Sequence, residues 1–154
     1  MSEIVTKAIN YIENTKYVIL ATTGKDGVPR LRTLASFAND GLKIYFSTGK
    51  NTGKVQQIAS NPNVSVLVQQ EGQEIPSFKS VTLIGKAALL VGGKEHDEAV
   101  KLLSSKNPRF REKVEKGLLD DTAIFGIKPD ILKFLDFSNG LGADSVKEIS
   151  LQPG

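Results

Sequence analysis

Two arginines with one residue between them, Arg30 and Arg32, precede the stretch "YFSTGKNTGKVQQIASNP", residues 45 to 62. These are residue types that hold a phosphate. An arginine offers a planar fork that matches phosphate oxygens. Ser47, Thr48, Asn51 and Thr52 offer neutral donors, and Lys54 adds a charge in the first turn of an expected helix. Free N–H groups and the dipole at a helix N-terminus favour an anion. A cation there is unfavourable unless an anion sits beside it. A plainer reading stays open on these residues alone: Asn51 or Thr52 is an ordinary N-cap, Lys50 and Lys54 are solvated, and both arginines lie on an exposed strand face.

The stretch is not a nucleotide-triphosphate loop. That motif spaces its glycines by four residues and follows its lysine with Ser or Thr. Here three residues separate Gly49 from Gly53, and Val55 follows Lys54. Other chemistry is bounded by composition. There are no cysteines, which excludes disulfides, thiolate metal sites and cysteine nucleophiles. The single histidine, His96, rules out a histidine-rich metal cluster and reads as a surface residue of a polar helix. Asp26, Asp40, Asp120 and Asp121 sit in turn contexts and read as turn formers. No acid/base pair is evident, so no catalytic residue is assigned. The net charge of +3 suits an anionic ligand but is weak support for nucleic acid. "RFREKVEK" reads as a solvated amphipathic helix, and nucleic-acid binding is not expected. No apolar run approaches the roughly 20 residues of a membrane span, and residues 1 to 16 lack a signal core. A cytoplasmic protein without membrane attachment is expected.

The elements that must position these residues follow from periodicity. Ile4, Ala8, Tyr11 and Ile12 share one face of a helix over 3–14. Strands are expected at 17–24, 28–38, 42–48, 63–70 and 78–91, with Gly85 at a bulge. In 28–38, Arg30, Arg32 and Leu34 fall on one face and Leu31, Thr33, Ala35 and Phe37 on the other. A helix over about 52–60 ends at Asn61-Pro62. Two helices follow residue 92, the second ended by Gly117. Two last strands are expected to join at Lys128-Pro129-Asp130. The chain reads as one domain, 1–154, with 138–154 as a glycine-rich tail wrapping a surface. Tight turns join antiparallel neighbours. The expectation is therefore a mainly β fold: an antiparallel sheet closed as a barrel, with helices packed outside. The hairpin at Asn39-Asp40-Gly41 is expected to bring Arg32 close to Ser47 and Thr48.

Taken together, "GVPRLRTLASFANDGLKIYFSTGKNTGKVQQIASNPNVSVLV" and "VTLIGKAAL" resemble the flavin-binding split-barrel family related to pyridoxamine 5'-phosphate oxidase. The shared features are G-x-P-x-x-R, a hairpin, an aromatic-x-T strand end, a lysine opening a helix, an N-P stop and V-x-x-x-G-x-A. The resemblance covers about residues 5 to 92 and continues loosely to 137. It implies a split barrel and FMN at the interface of a homodimer. Arg32 then matches a phosphate-binding arginine, and Lys54 a phosphate-binding lysine. Thr33, Leu34 and Ala35 match a strand whose backbone meets the isoalloxazine edge. Ser47 and Thr48 match the strand end near the phosphate and ribityl chain. Ser80 falls where the oxidase places a glutamine from the facing subunit. The departures matter as much. Gly53 replaces a basic residue, Phe37 stands five residues after the arginine where the oxidase has a lysine, and the C-terminal arginine- and histidine-bearing segment has no counterpart. The chain thus resembles the smaller general-stress-protein-like members more than a true pyridoxamine 5'-phosphate oxidase.

Three readings follow. The first is an FMN-dependent oxidoreductase of unknown substrate and electron donor. The second is a flavin-binding storage, sensing, electron-carrier or stress protein without a dedicated substrate. The third is a basic barrel binding another anion, such as nucleic acid, haem or a deazaflavin.

Overall fold

A computed structural model describes residues 2–151. Helix α1 (Glu3–Glu13) starts at Ser2, whose hydroxyl accepts the Val5 N–H at 3.2 Å, and it buries Ala8, Tyr11 and Ile12. Strands β1 (Val18–Thr23) and β2 (Pro29–Leu34) form a hairpin, as do β3 (Phe37–Asp40) and β4 (Lys43–Gly49). Then follow α2 (Gly53–Ser60), β5 (Asn63–Val68), β6 (Lys79–Leu89), α3 (Gly93–Lys106), α4 (Pro108–Glu115), β7 (Thr122–Asp136) and β8 (Val146–Ser150).

The strands pair antiparallel in the order β2-β1-β5-β6-β7-β4-β3, with β8 added to β7. The two ends of that order are halves of one chain segment, separated only by Ala35 and Ser36. The sheet therefore curls until its first and last strands meet through the covalent chain. This is the mainly β split barrel that the sequence predicts.

The unbroken strand expected over 28–38 needs correction. Leu34 and Phe37 are three residues apart and both buried, at 3% and 0% exposure. Strict alternation would send them to opposite faces. A bend at Ala35-Ser36 resets the phase and moves the chain from β1 to β4. Lys128-Pro129-Asp130 likewise joins no two strands, because β7 runs through it. Its register against β6 shifts there: Ile84 faces Ile131 and Gly85 faces Pro129. A bulge tolerates a proline that has no N–H to give. At Gly85 an added Cβ would lie 2.1 Å from the Lys128 carbonyl oxygen, so the backbones meet where no side chain fits. The tail does more than wrap: Val146–Ser150 pairs along residues 131–135. Its residues 152–154 lie outside the described ones.

Inside the barrel, Leu20, Leu34, Phe37, Phe46, Val66, Leu83, Phe125 and Leu132 form one buried cluster. Phe46 and Phe125 stack with centroids 5.2 Å apart. Each such side chain contributes ~1.5–3 kcal/mol on burial. Outside, α3 and α4 pack Ala99, Leu103 and Phe110 on Ala38, Tyr45 and Ile124.

Candidate functional site

The inward face of the β1–β2 hairpin changes character along its length. Val18, Leu20 and Leu34 fill the core, but further out the inward positions are Thr22, Arg32 and Arg30. Leu20 pairs with Arg32 and Thr22 with Arg30. The barrel thus ends in a polar mouth. Helix α2 lies against it, anchored by buried Ile58 and by Val55 on the core.

This placement brings Arg32, Lys54 and Gln57 together. Gln57 Oε1 accepts from Arg32 NH2 at 2.8 Å and from Thr22 Oγ1 at 2.6 Å. Burial pulls the Lys54 ammonium below its usual range, and the charge of Arg32 adds to that. Burial, then the charge of Arg30, does the same to Arg32. The neighbouring charges acting on both groups are positive. Arg30 is different, because Asp26 holds it at 2.7 and 3.1 Å. That hydrogen-bonded pair, first of all, lowers the Asp26 carboxyl to about 2. Among the described residues no carboxylate pairs with Arg32 or Lys54. Arg32 Nε is also buried without a hydrogen-bond partner. Two adjacent cations, one with an orphaned donor, fit an anion.

The N-terminus of α2 adds to this. Thr52 occupies the N-cap position, but its side chain makes no capping bond, and the first turn holds no acid. The simple-cap reading of Thr52 therefore does not hold. Thr52 Oγ1 instead lies 3.5 Å from Thr48 Oγ1 at the end of β4. Asn51 is exposed in the loop before it. Ser47 Oγ meets Ser36 Oγ at 2.6 Å across the bend.

Beyond Ser47 and Thr48 opens a cleft of about 670 Å³, lined by Ala35, Tyr17 and the α3–α4 corner. Its walls carry Lys16, Lys106, Arg109, Lys113 and Lys116 against one acid, Glu112. Lys106 Nζ lies 3.7 Å from the centre of the Phe37 ring and has no hydrogen-bond partner. Burial holds its pKa down.

The remaining expected residues divide. Leu34 points into the core, while Thr33 and Ala35 are exposed. Only the backbone of Leu34 is available to a ligand. Among the described residues β2 pairs with β1 alone, so its far edge presents unpaired main-chain groups. Ser80 is buried on β6, three strands from β2, and is not brought to the cradle within one chain. Sequence reasoning missed Thr22, Gln57 and the basic cleft wall. Gln57 was findable, since it lies three residues after Lys54 on the same helix face.

Residues 5–135 match the pyridoxamine 5'-phosphate oxidase family. General stress protein 26 of Bacillus subtilis (strain 168) is 32% identical over 133 residues, covering 84% of this chain and 86% of that protein. A heme binding protein from Mycobacterium smegmatis superposes with a TM-score of 0.80 at 14% identity, covering 97% of this chain and 59% of that one. The General Stress Protein 26 from Bacillus anthracis str. Sterne superposes at 0.66 with 19% identity, covering 97% of this chain and 100% of that one. Both superpositions speak to the fold alone.

Proposed function

The chain belongs to the pyridoxamine 5'-phosphate oxidase family, and from that premise we propose that it binds FMN and works as a flavin-dependent oxidoreductase on a substrate other than pyridoxamine 5'-phosphate. One observation carries the reading: among the described residues Arg32 and Lys54 lie together uncompensated, with Arg32 Nε buried and unpartnered, beside an uncapped helix start.

In this reading Arg32, Lys54 and the free N–H groups of α2 hold the phosphate. Thr48, Thr52, Ser47 and Asn51 line the chain that leads from it. The open edge of β2 at Thr33, Leu34 and Ala35 offers N–H and C=O groups to a flat ring edge. A bound flavin supplies the redox chemistry, accepting and passing on electrons. The protein binds, orients and excludes water. The basic wall of the neighbouring cleft suits an organic anion as reaction partner. Phe37 is fully buried and offers no charge to it, consistent with a substrate unlike that of the oxidase.

A homodimer belongs to the same reading. Tyr17, Ile19 and Leu31 are 44%, 37% and 73% exposed on the β1–β2 side of the barrel. A second copy of this chain would cover them and bring its Ser80 toward the flavin. Light scattering tests this; a monomer that still binds FMN would mean the site is built within one chain.

Haem is the competing ligand, the one named for the Mycobacterium smegmatis protein that shares this fold. Against it, His96, the sole histidine, sits on α3 beside Asp97 and does not line the cleft. The visible spectrum of the purified protein decides: flavin bands support the proposal, a Soret band overturns it. Titration with FMN and riboflavin then tests the cradle, and equal affinities would contradict it. Turnover of a reduced nicotinamide with an electron acceptor separates an oxidoreductase from a flavin carrier.

A further inference from the structure

A guanidinium at the end of a long flexible side chain does not choose its own direction. Arg32 NH2 donates to Gln57 Oε1 at 2.8 Å, and Thr22 Oγ1 lies 2.6 Å from that same oxygen. A guanidinium only donates, so the atom facing it must be the amide oxygen and not the nitrogen. The orientation of Gln57 is thereby settled by chemistry. Thr22 is fully buried on β1, a strand paired on both sides, with β2 and β5. Gln57 sits one turn after Lys54 on the helix that closes that mouth. The Thr22 bond therefore ties α2 to β1, and the Arg32 bond ties β2 to the same amide oxygen.

We infer that Thr22 and Gln57 are positioning residues that aim Arg32 at the phosphate, without touching the phosphate themselves. The buried hydroxyl fixes the amide oxygen. The amide oxygen fixes NH2, and the buried, unpartnered Nε is left as a donor for the ligand. The inference rests on the FMN reading above. It adds that affinity for the phosphate depends on two uncharged residues which no charge-based reading of the site would single out.

A residue that merely packs would lower stability and weaken FMN and riboflavin alike. A relay acting through Arg32 weakens FMN alone. The test is fluorescence titration of the parent, Gln57→Leu and Thr22→Val with both flavins, alongside the thermal midpoint without flavin. Gln57→Leu keeps the size and removes the acceptor. The expected result is a roughly three- to tenfold loss for FMN, the worth of one hydrogen bond, with riboflavin unchanged. Thr22→Val keeps the shape and removes the hydroxyl, and should give a smaller loss in the same direction. Gln57→Glu should lose more than Gln57→Leu, because the carboxylate would capture Arg32 and repel the phosphate. A parent that takes both flavins equally overturns the FMN reading and the relay with it. A parent that prefers FMN, with the preference intact in Gln57→Leu and Gln57→Glu, overturns the relay alone. If one variant fails to fold, the same ratio in the other two decides.

Discussion

Two helices of this protein begin in opposite ways. Helix α1 opens on Ser2, which caps it, and places Glu3 in its first turn, where the dipole favours a negative charge. Glu3 also pairs with Lys7 at 3.3 Å. Helix α2 opens on Thr52, which does not cap it, and carries Lys54 in the first turn. Lys54 lies close enough to Arg32 to feel its charge. The start of α1 is complete as it stands. Among the described residues the start of α2 and the neighbouring Arg32 carry donors without acceptors and cations without counter-charge, and an anion would satisfy all of them together. A local arrangement that costs stability in the empty protein points to what the protein holds.

The largest expected effects break this contrast by making α2 resemble α1. Lys54→Glu gives α2 an acidic first turn and an ion pair with Arg32. It should raise the stability of the flavin-free protein by ~0.3–1 kcal/mol, while FMN binding is lost in titration. Lys54→Ala removes a charge-assisted contact worth roughly 1.5–3 kcal/mol, about ten- to over a hundredfold in FMN affinity. Arg32→Ala should cost at least as much, because a fork is lost. Riboflavin affinity should not move in either alanine variant. Lys50→Ala is the control, from the turn just before α2, and should leave FMN affinity unchanged. If Lys50→Ala and Lys54→Ala weaken FMN equally, the phosphate sits elsewhere.

The next effect concerns pH and has two opposite signs. The folded, flavin-free protein holds the Lys54 pKa below its ordinary 10.5. Between the depressed value and 10.5 the unfolded chain binds more proton than the folded one, so Lys54 makes stability rise with pH in that window. FMN needs the charged amine, so its affinity should fall over the same window. Equilibrium titrations on the alkaline side should show the fall in the parent and a shallower one in Lys54→Ala. An identical slope in both would assign the pH dependence to another group.

Much of this was legible before the structure. Arg32, Lys54 and the helix between Thr52 and Asn61 carry their chemistry in residue type and short-range spacing. The bulge at Gly85 was marked by a glycine inside a strand pattern. What escaped was one local break in a strand and several long-range placements. The bend at Ala35-Ser36 shows only as a broken alternation between Leu34 and Phe37. Thr22 and Gln57 are separated by 35 residues and meet only because α2 folds over the β1–β2 hairpin. Arg109, Lys113 and Lys116 look solvated in a helical projection, yet the turn at Asn107 sets them along one cleft. Asp26 was read as a turn former and is one, accepting the Val28 N–H at 3.0 Å. Its second role, neutralising Arg30, separates two arginines that look equivalent in the sequence.

The smallest effect is the sharpest check on the contrast. Ser2→Ala removes a capping bond that exists, and should cost about 1 kcal/mol, seen as a fall of about 2–4 °C in the thermal midpoint for a chain of this size. Thr52→Ala removes a hydroxyl from the equivalent position of α2, where no capping bond exists. Its midpoint without flavin should therefore barely change. The ranking should reverse with FMN present. Thr52 lies on the path from Thr48 to Lys54, so Thr52→Ala should reduce the midpoint gain on adding FMN, whereas Ser2→Ala should keep that gain in full. Equal losses in the flavin-free protein would show that Thr52 caps α2 in solution, and the two helix starts would then differ only in charge.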